Sequence, residues 1–208
     1  MHGDGTFPGL DSNGGYAEYL QTTSRNLVKL PKTLAPKDVA PYSDAGLTAY
    51  RAAKKAAQQL LPDHSVVVIG AGGLGHIGIQ VLRAMCAATI IVVDINDNAL
   101  ELAGKGGADH LVKADGSEVD AVKLLTNGLG AEAVIDFVGE KGTTKKGLDM
   151  TRPMGSYYIV GYGEDIQIPT VDMIITERNI IGNLVGTWAE LTELMALADR
   201  GLVDLETR

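Results

Sequence analysis

Ser65-Val66-Val67-Val68-Ile69-Gly70-Ala71-Gly72-Gly73-Leu74-Gly75 is the stretch that decides the fold, read together with Asp94 beyond it. The β-branched run predicts a buried strand, and residues 73–86 predict the helix that follows. Between them, Gly70, Gly72 and Gly75 satisfy a G-x-G-x-x-G spacing. That spacing is weak alone but specific when it follows a strand and opens a helix. One glycine permits the tight turn, another lets the backbone approach a pyrophosphate, and the third allows close helix–strand packing. The helix N-terminus then offers unpaired N–H groups to the anion. Asp94 closes the next apolar run, 19 positions after Gly75, where a carboxylate accepts from the adenosine ribose hydroxyls.

Working outward, the chain alternates. Strands are expected at residues 65–69, 89–93, 110–112, 132–137, 156–160 and 179–185, with helices at 46–61, 73–86, 97–105, 117–125, 143–150 and 189–200. Continuous Val/Ile runs between helices indicate a parallel sheet covered on both faces. The expected fold class is α/β: a six-stranded, doubly wound parallel sheet of Rossmann type. Residues 1–40 differ, being rich in Gly, Pro and polar residues with short extended runs at 15–20 and 26–30. They read as a β-rich remnant, leaving 41–208 as the nucleotide-binding domain, whose last twenty or so residues could return to the other domain.

At 208 residues the chain can bury roughly 70% of its unfolded surface without a metal or disulfide staple. The net charge of −8 argues against nucleic acid and anionic membrane as partners. No apolar run is long enough to span a bilayer. No secretory leader is legible after Met1, so the expected location is cytoplasmic. The single cysteine, Cys86, reads as a small core residue.

Asp94 also bears on cofactor choice. A 2′-phosphate beside it would face like charge, costing on the order of 4 kcal/mol per unit-charge pair at an effective dielectric of 20. Even ~1.4 kcal/mol is tenfold in affinity. Ile95 and Asn96 supply no arginine for such a phosphate, so NAD is expected over NADP.

Three further stretches, Gly14-Gly15-Tyr16-Ala17-Glu18-Tyr19, Asp44-Ala45-Gly46-Leu47-Thr48-Ala49-Tyr50 and Gly73-Leu74-Gly75-His76, make the chain resemble the zinc-dependent medium-chain alcohol dehydrogenases. The resemblance runs through essentially the whole chain and implies a GroES-like catalytic domain of which residues 1–40 are a part. It implies that Gly73 and Leu74 hold the pyrophosphate, Asp94 and Ile95 the adenosine, and Phe137 and Val138 the adenine side. It places Val160, Tyr162 and Val185 at the nicotinamide carboxamide, and Thr48 against the nicotinamide ring as the catalytic-site residue. Ala99 stands where many relatives have a Lys or Arg.

Asp44 falls where the family supplies a ligand of its catalytic zinc, usually Cys and in some branches Asp. A carboxylate is a workable zinc ligand, although an Asp before a helix is also an ordinary N-cap. His76 reads as a packing or hydrogen-bonding group before it reads as a ligand or proton shuttle. Tyr50 and Lys54 match a Tyr-x-x-x-Lys spacing by coincidence, because that pair follows the glycine motif in short-chain enzymes and precedes it here. Trp188 reads as packing.

The family's other zinc ligands, a Cys and a His in Gly-His-Glu, are not found. No cysteine precedes Cys86, and the early histidine is His2. The chain is therefore expected to be a fragment, with an incomplete zinc site. The resemblance implies hydride transfer between a primary or secondary alcohol and NAD, with zinc as Lewis acid. Small alcohols, aldehydes or ketones are the expected partners. The alternative is a non-catalytic NAD-binding module or truncated gene product. A zinc-independent quinone reductase fits less well, since those relatives prefer NADPH and show an Ala-x-x-Gly-x-x-Gly turn. The resemblance also implies a homo-oligomer, dimer or tetramer, joined through the apolar sixth strand at 178–185, a sheet edge open to pairing.

Overall fold

The computed structural model describes residues 8–205. Its core is one six-stranded sheet in the order β3-β2-β1-β4-β5-β6. The strands are β1 (Ser65–Ile69), β2 (Thr89–Asp94), β3 (His110–Lys113), β4 (Ala131–Asp136), β5 (Thr151–Ile159) and β6 (Asn179–Gly182). Every pairing is parallel. The helices are α1 (Pro36–Val39), α2 (Ala45–Ala57), α3 (Gly75–Met85), α4 (Asp97–Lys105), α5 (Glu118–Leu125), α6 (Thr143–Met150), α7 (Thr170–Thr176) and α8 (Trp188–Asp199).

Alternation along each strand divides the core into two. Val66, Val68, Ile90, Val92 and Ile135 pack with α2, α3, α4 and α8. Val67, Ile69, Ile91, Val93 and Val134 turn the other way, toward α5 and α6. This is why the strands read as unbroken Val/Ile runs: both faces are dry. α2 is alanine-rich because it is sandwiched, with Ala49, Ala52, Ala53 and Ala56 fully buried.

The strand order reverses between β2-β1 and β1-β4, which opens a crevice at the carboxyl ends of β1 and β4. Chain order brings the residues following β2, β5 and β6 to the same edge of the sheet.

Several boundaries differ from expectation. The extended runs at 15–20 and 26–30 form no ladder among the described residues. There is only an isolated bridge between Pro8 and Ser12 and a 3-10 turn at Ser24–Asn26. A lone strand has no partner for its backbone groups, and Tyr16, Tyr19, Leu20 and Leu27 stand exposed. Residues nearer the domain do pack: Val28, Leu30 and Leu34 lie against the first core cluster. β5 begins at Thr151, ahead of its expected start, because α6 runs directly into it, with an irregularity opposite β4 between Ala131 and Ala133. β6 ends early because Asn183 folds its side chain back onto the carbonyls of Ile159 and Ile181. α7 was not legible; its Val171, Ile174 and Ile175 are exposed and β-branched, which masks a short helix. Cys86 caps α3 half-buried, its thiol donating to the Leu82 carbonyl. Trp188, at the start of α8, donates its indole N–H to Leu27 O at 3.0 Å. His2 lies outside the described residues.

Candidate functional site

The glycine turn is built by close approach. Gly70 has φ +85, and its N–H donates to Val93 O at 2.9 Å, tying the turn to the end of β2. At Gly75 a Cβ would lie 1.8 Å from Gly70 O, so the helix starts in backbone contact with the turn. At Gly72 and Gly73 a Cβ would meet nothing within 4 Å. Those two positions leave the approach to the first turn of α3 open. His76 and Ile77 N–H already donate to Gly72 O and Leu74 O, so the amides available to a ligand are the ones ahead of them, where a helix start leaves N–H groups unpaired. An anion fits this arrangement.

Asp94 sits at the mouth of the turn. One carboxylate oxygen accepts from Ala71 N–H at 2.7 Å and the other from Asn96 N–H at 2.7 Å. Both loops are thereby referenced to a single side chain, half-buried at the end of β2. Beside it lies a cleft of 260 Å³ whose lining includes Ile69, Asp94, Ile95, Val138, Glu118 and Lys146. Ligand pockets usually run roughly 300–1,000 Å³, so this cleft suits one end of a dinucleotide. Ile95 is 72% exposed and offers an apolar face at the rim.

Phe137 is not in this cleft. Its ring lies under α3, 2.9 Å from where a Cβ on Gly78 would be, and packs with the first core cluster. Successive residues of an extended segment face opposite ways, so placing Val138 in the cleft turns Phe137 from it. The pair expected on the adenine side is therefore split.

Sequence reasoning missed three polar anchors. Asp136 is fully buried, accepting from Tyr157 O–H at 2.7 Å, Val138 N–H at 2.8 Å and Gly139 N–H at 2.9 Å. It fixes the turn after β4, and burial together with Asp136 pushes the Tyr157 hydroxyl's pKa far up. The available signal was an acid closing the apolar run Ala133-Val134-Ile135. Glu118, 2% exposed, pairs with Lys146 at 2.5 Å on the cleft floor. Burial opposes its ionised form, but Lys146 and the N–H of Gly116 hold the carboxyl below the usual range. Glu164 accepts from Gly142 and Thr144 at the start of α6, anchoring the loop after β5.

Toward the other end, Val160 follows β5 and its N–H donates to Asp136 O at 2.9 Å. Tyr162 is 91% exposed on the same loop. Val185 follows β6 with φ +42, a left-handed conformation that a β-branched residue adopts only under strain. At the adjacent Gly186 a Cβ would lie 2.5 Å from the Leu47 side chain, so this turn abuts the start of α2. Thr48 and Asp44 are one helical turn apart there, and Thr48 N–H donates to Asp44 O at 2.9 Å.

The Asp44 carboxylate is exposed and makes no cap hydrogen bond. Among the described residues no three His, Cys, Asp or Glu come together as metal ligands. One carboxylate does not fit a zinc centre, which takes at least three protein ligands. His76 is buried; its Nδ1 lies 2.8 Å from Gly72 O, while Nε2 has no hydrogen-bond partner among the described residues. Tyr50 donates to Glu193 at 2.8 Å, and Lys54 pairs with the same carboxylate. The pair braces α2 against α8, and burial followed by Glu193 raises the Tyr50 pKa. No helix among the described residues is long and apolar enough to cross a membrane.

Fold and turn together define a doubly wound domain of the dinucleotide-binding class. The chain belongs to the zinc-binding dehydrogenase family, whose sequence model matches residues 73–200. An NAD-dependent alcohol dehydrogenase of Sulfurisphaera tokodaii is 36% identical over 198 residues, 94% of this chain and 56% of that protein. The D-arabinose 1-dehydrogenase (NADP(+)) of Saccharolobus solfataricus is 33% identical over 206 residues, 94% of this chain and 57% of its own length. The crystal structure of the alcohol dehydrogenase of Aeropyrum pernix superimposes with a TM-score of 0.92 at 44% identity, covering 97% of this chain and 59% of that one. The chain thus spans a little over half the length of these relatives.

Proposed function

We propose that this chain is the NAD-binding part of an alcohol dehydrogenase, with residues 41–208 as the coenzyme domain and 1–40 as the edge of a second domain. The observation that supports this most directly is the open approach over Gly72 and Gly73 beside the anchored Asp94 carboxylate. The Gly73 and Leu74 amides hold the pyrophosphate, Asp94 the adenosine ribose, and Ile95 and Val138 the adenine. Backbone groups at Val160, Tyr162 and Val185, with Thr48, meet the nicotinamide. Bound there, the cofactor supplies a hydride acceptor at its nicotinamide carbon. In the whole protein the alcohol carbon gives up a hydride and its hydroxyl a proton, leaving an aldehyde or ketone. Asp44 contributes a single ligand toward the family's zinc.

NADH fluorescence titration followed by a panel of primary and secondary alcohols with added zinc tests this reading. Dinucleotide binding without turnover is expected from a chain whose described residues bring one carboxylate to the metal position. Failure to bind NADH, or zinc-dependent turnover at ordinary enzyme rates, would overturn it. Asp94→Ser should weaken NADH binding at least about tenfold, the order expected for losing a charge-assisted hydrogen bond of ~1.5 kcal/mol or more, and narrow the gap to NADPH. Equal NADH and NADPH affinity in the unmodified chain would remove Asp94 from this role.

The cytoplasm is the compartment proposed. A homo-oligomer, dimer or tetramer, is proposed to form through β6. In support, β6 is the last strand of the sheet, and Ile174, Ile175 and Leu184 near it are exposed. Light scattering at tens of micromolar should show a dimer or larger, and a monomer would count against it.

A further inference from the structure

We propose that Asp97, by holding Lys113, sets how strongly this chain rejects a 2′-phosphorylated dinucleotide; the inference rests on the cofactor reading above. Asp94 and Lys113 are register partners across β2 and β3. Partners in neighbouring strands point to the same side of a sheet, one strand spacing or about 4.8 Å apart. The preceding partners, Val93 and Val112, belong to the core cluster on the α5–α6 side. Asp94 and Lys113 therefore both turn to the opposite side, where Asp94 meets the Ala71 amide. The β3 strand thus delivers a cation beside the carboxylate assigned to the ribose.

That cation is tied off. Lys113 Nζ donates to Asp97 Oδ1 at 2.6 Å, from the first turn of α4. Asp97 is 86% exposed and Lys113 41% exposed, and ion pairs that open to solvent contribute little to folding. Asp115 also feels Lys113, but its carboxylate is engaged with the N–H and hydroxyl of Ser117. A 2′-phosphate brings about two negative charges and needs a free cation within reach. Two obstacles meet it here: Asp94 at the ribose and Asp97 on the lysine that would otherwise answer. Removing Asp94 clears only the first.

The test compares Asp94→Ser, Asp94→Ser/Asp97→Asn and Asp94→Ser/Asp97→Asn/Lys113→Ala with the unmodified full chain, titrating each with NADH and NADPH. The NADPH-to-NADH affinity ratio should rise about tenfold from the single to the double variant and fall back in the triple. An unchanged ratio in the double variant, or a gain that survives loss of Lys113, overturns the inference while leaving the cofactor reading standing. Failure of the unmodified chain to bind NADH overturns both. Thermal melts establish folding, and Asp97→Ser replaces any Asp97→Asn variant that melts early.

Discussion

Gly75→Ala should cost the domain roughly 3 kcal/mol, the upper part of the range for overpacking, and abolish measurable NADH binding. A Cβ at this position would stand 1.8 Å from Gly70 O and 2.8 Å from Gly70 C. Both are backbone atoms, so no rotamer change relieves the clash. Either α3 retreats from the sheet or the turn unwinds, and Gly70 N–H loses its bond to Val93 O. Retreat of α3 also disturbs its packing on α2 and on Phe137 beneath Gly78. At 2–4 °C per kcal/mol for a domain of this size, the melting temperature should fall by roughly 6–12 °C. Gly73→Ala is the control for stability, because its Cβ meets open space, and it should melt near the parent. Thermal melts paired with NADH titration measure both effects. A Gly75→Ala protein melting with the parent would show that the close approach is not a constraint.

Asp136→Ala should be as damaging for the opposite reason, the loss of an acceptor rather than the intrusion of an atom. Three donors converge on this buried carboxylate: the Tyr157 hydroxyl and the amides of Val138 and Gly139. Each buried donor left unpaired costs about 1–3 kcal/mol, so three would cost ~3–9 kcal/mol. With the Val138 amide only partly buried and an entering water recovering part of the loss, a total of roughly 3–5 kcal/mol is expected. Tyr157→Phe removes one donor and leaves the acceptor two partners; it should cost about 1 kcal/mol. The two substitutions should also differ in function. Asp136 holds the turn that carries Val138 into the cleft beside Asp94, so its loss should weaken NADH binding, whereas Tyr157→Phe should leave that turn in place. Urea unfolding of both variants compares the costs. Equal destabilisation would mean the backbone amides are satisfied without the carboxylate.

The strands, most helices and the glycine turn were legible because each depends on local periodicity or on what a glycine permits. β1 through β4 and α3 through α6 fell within a few residues of expectation, and Asn96 capping α4 is a local matter as well. Asp94 was legible from spacing, since a strand–turn–helix unit places its next strand's end at a predictable distance.

What depended on other strands was not legible. Whether Phe137 or Val138 enters the cleft turns on which face of β4 meets α3, and one residue of phase exchanges them. Asp136 looked like an ordinary strand terminus until β5, with Tyr157 opposite Val134, brought the Tyr157 hydroxyl to its carboxylate. Lys113 acquired meaning only from register, β3 aligning it with Asp94 while α4 brought Asp97 over it. The run at residues 15–20 has strand-like composition and no ladder among the described residues, because a strand is completed by hydrogen bonds to another segment and composition cannot supply one. Sequence by itself determined the elements and the glycine turn, where the physics lies within a few residues. Tertiary structure decided which side chains face the ligand, because burial, register and pairing are properties of two segments at once.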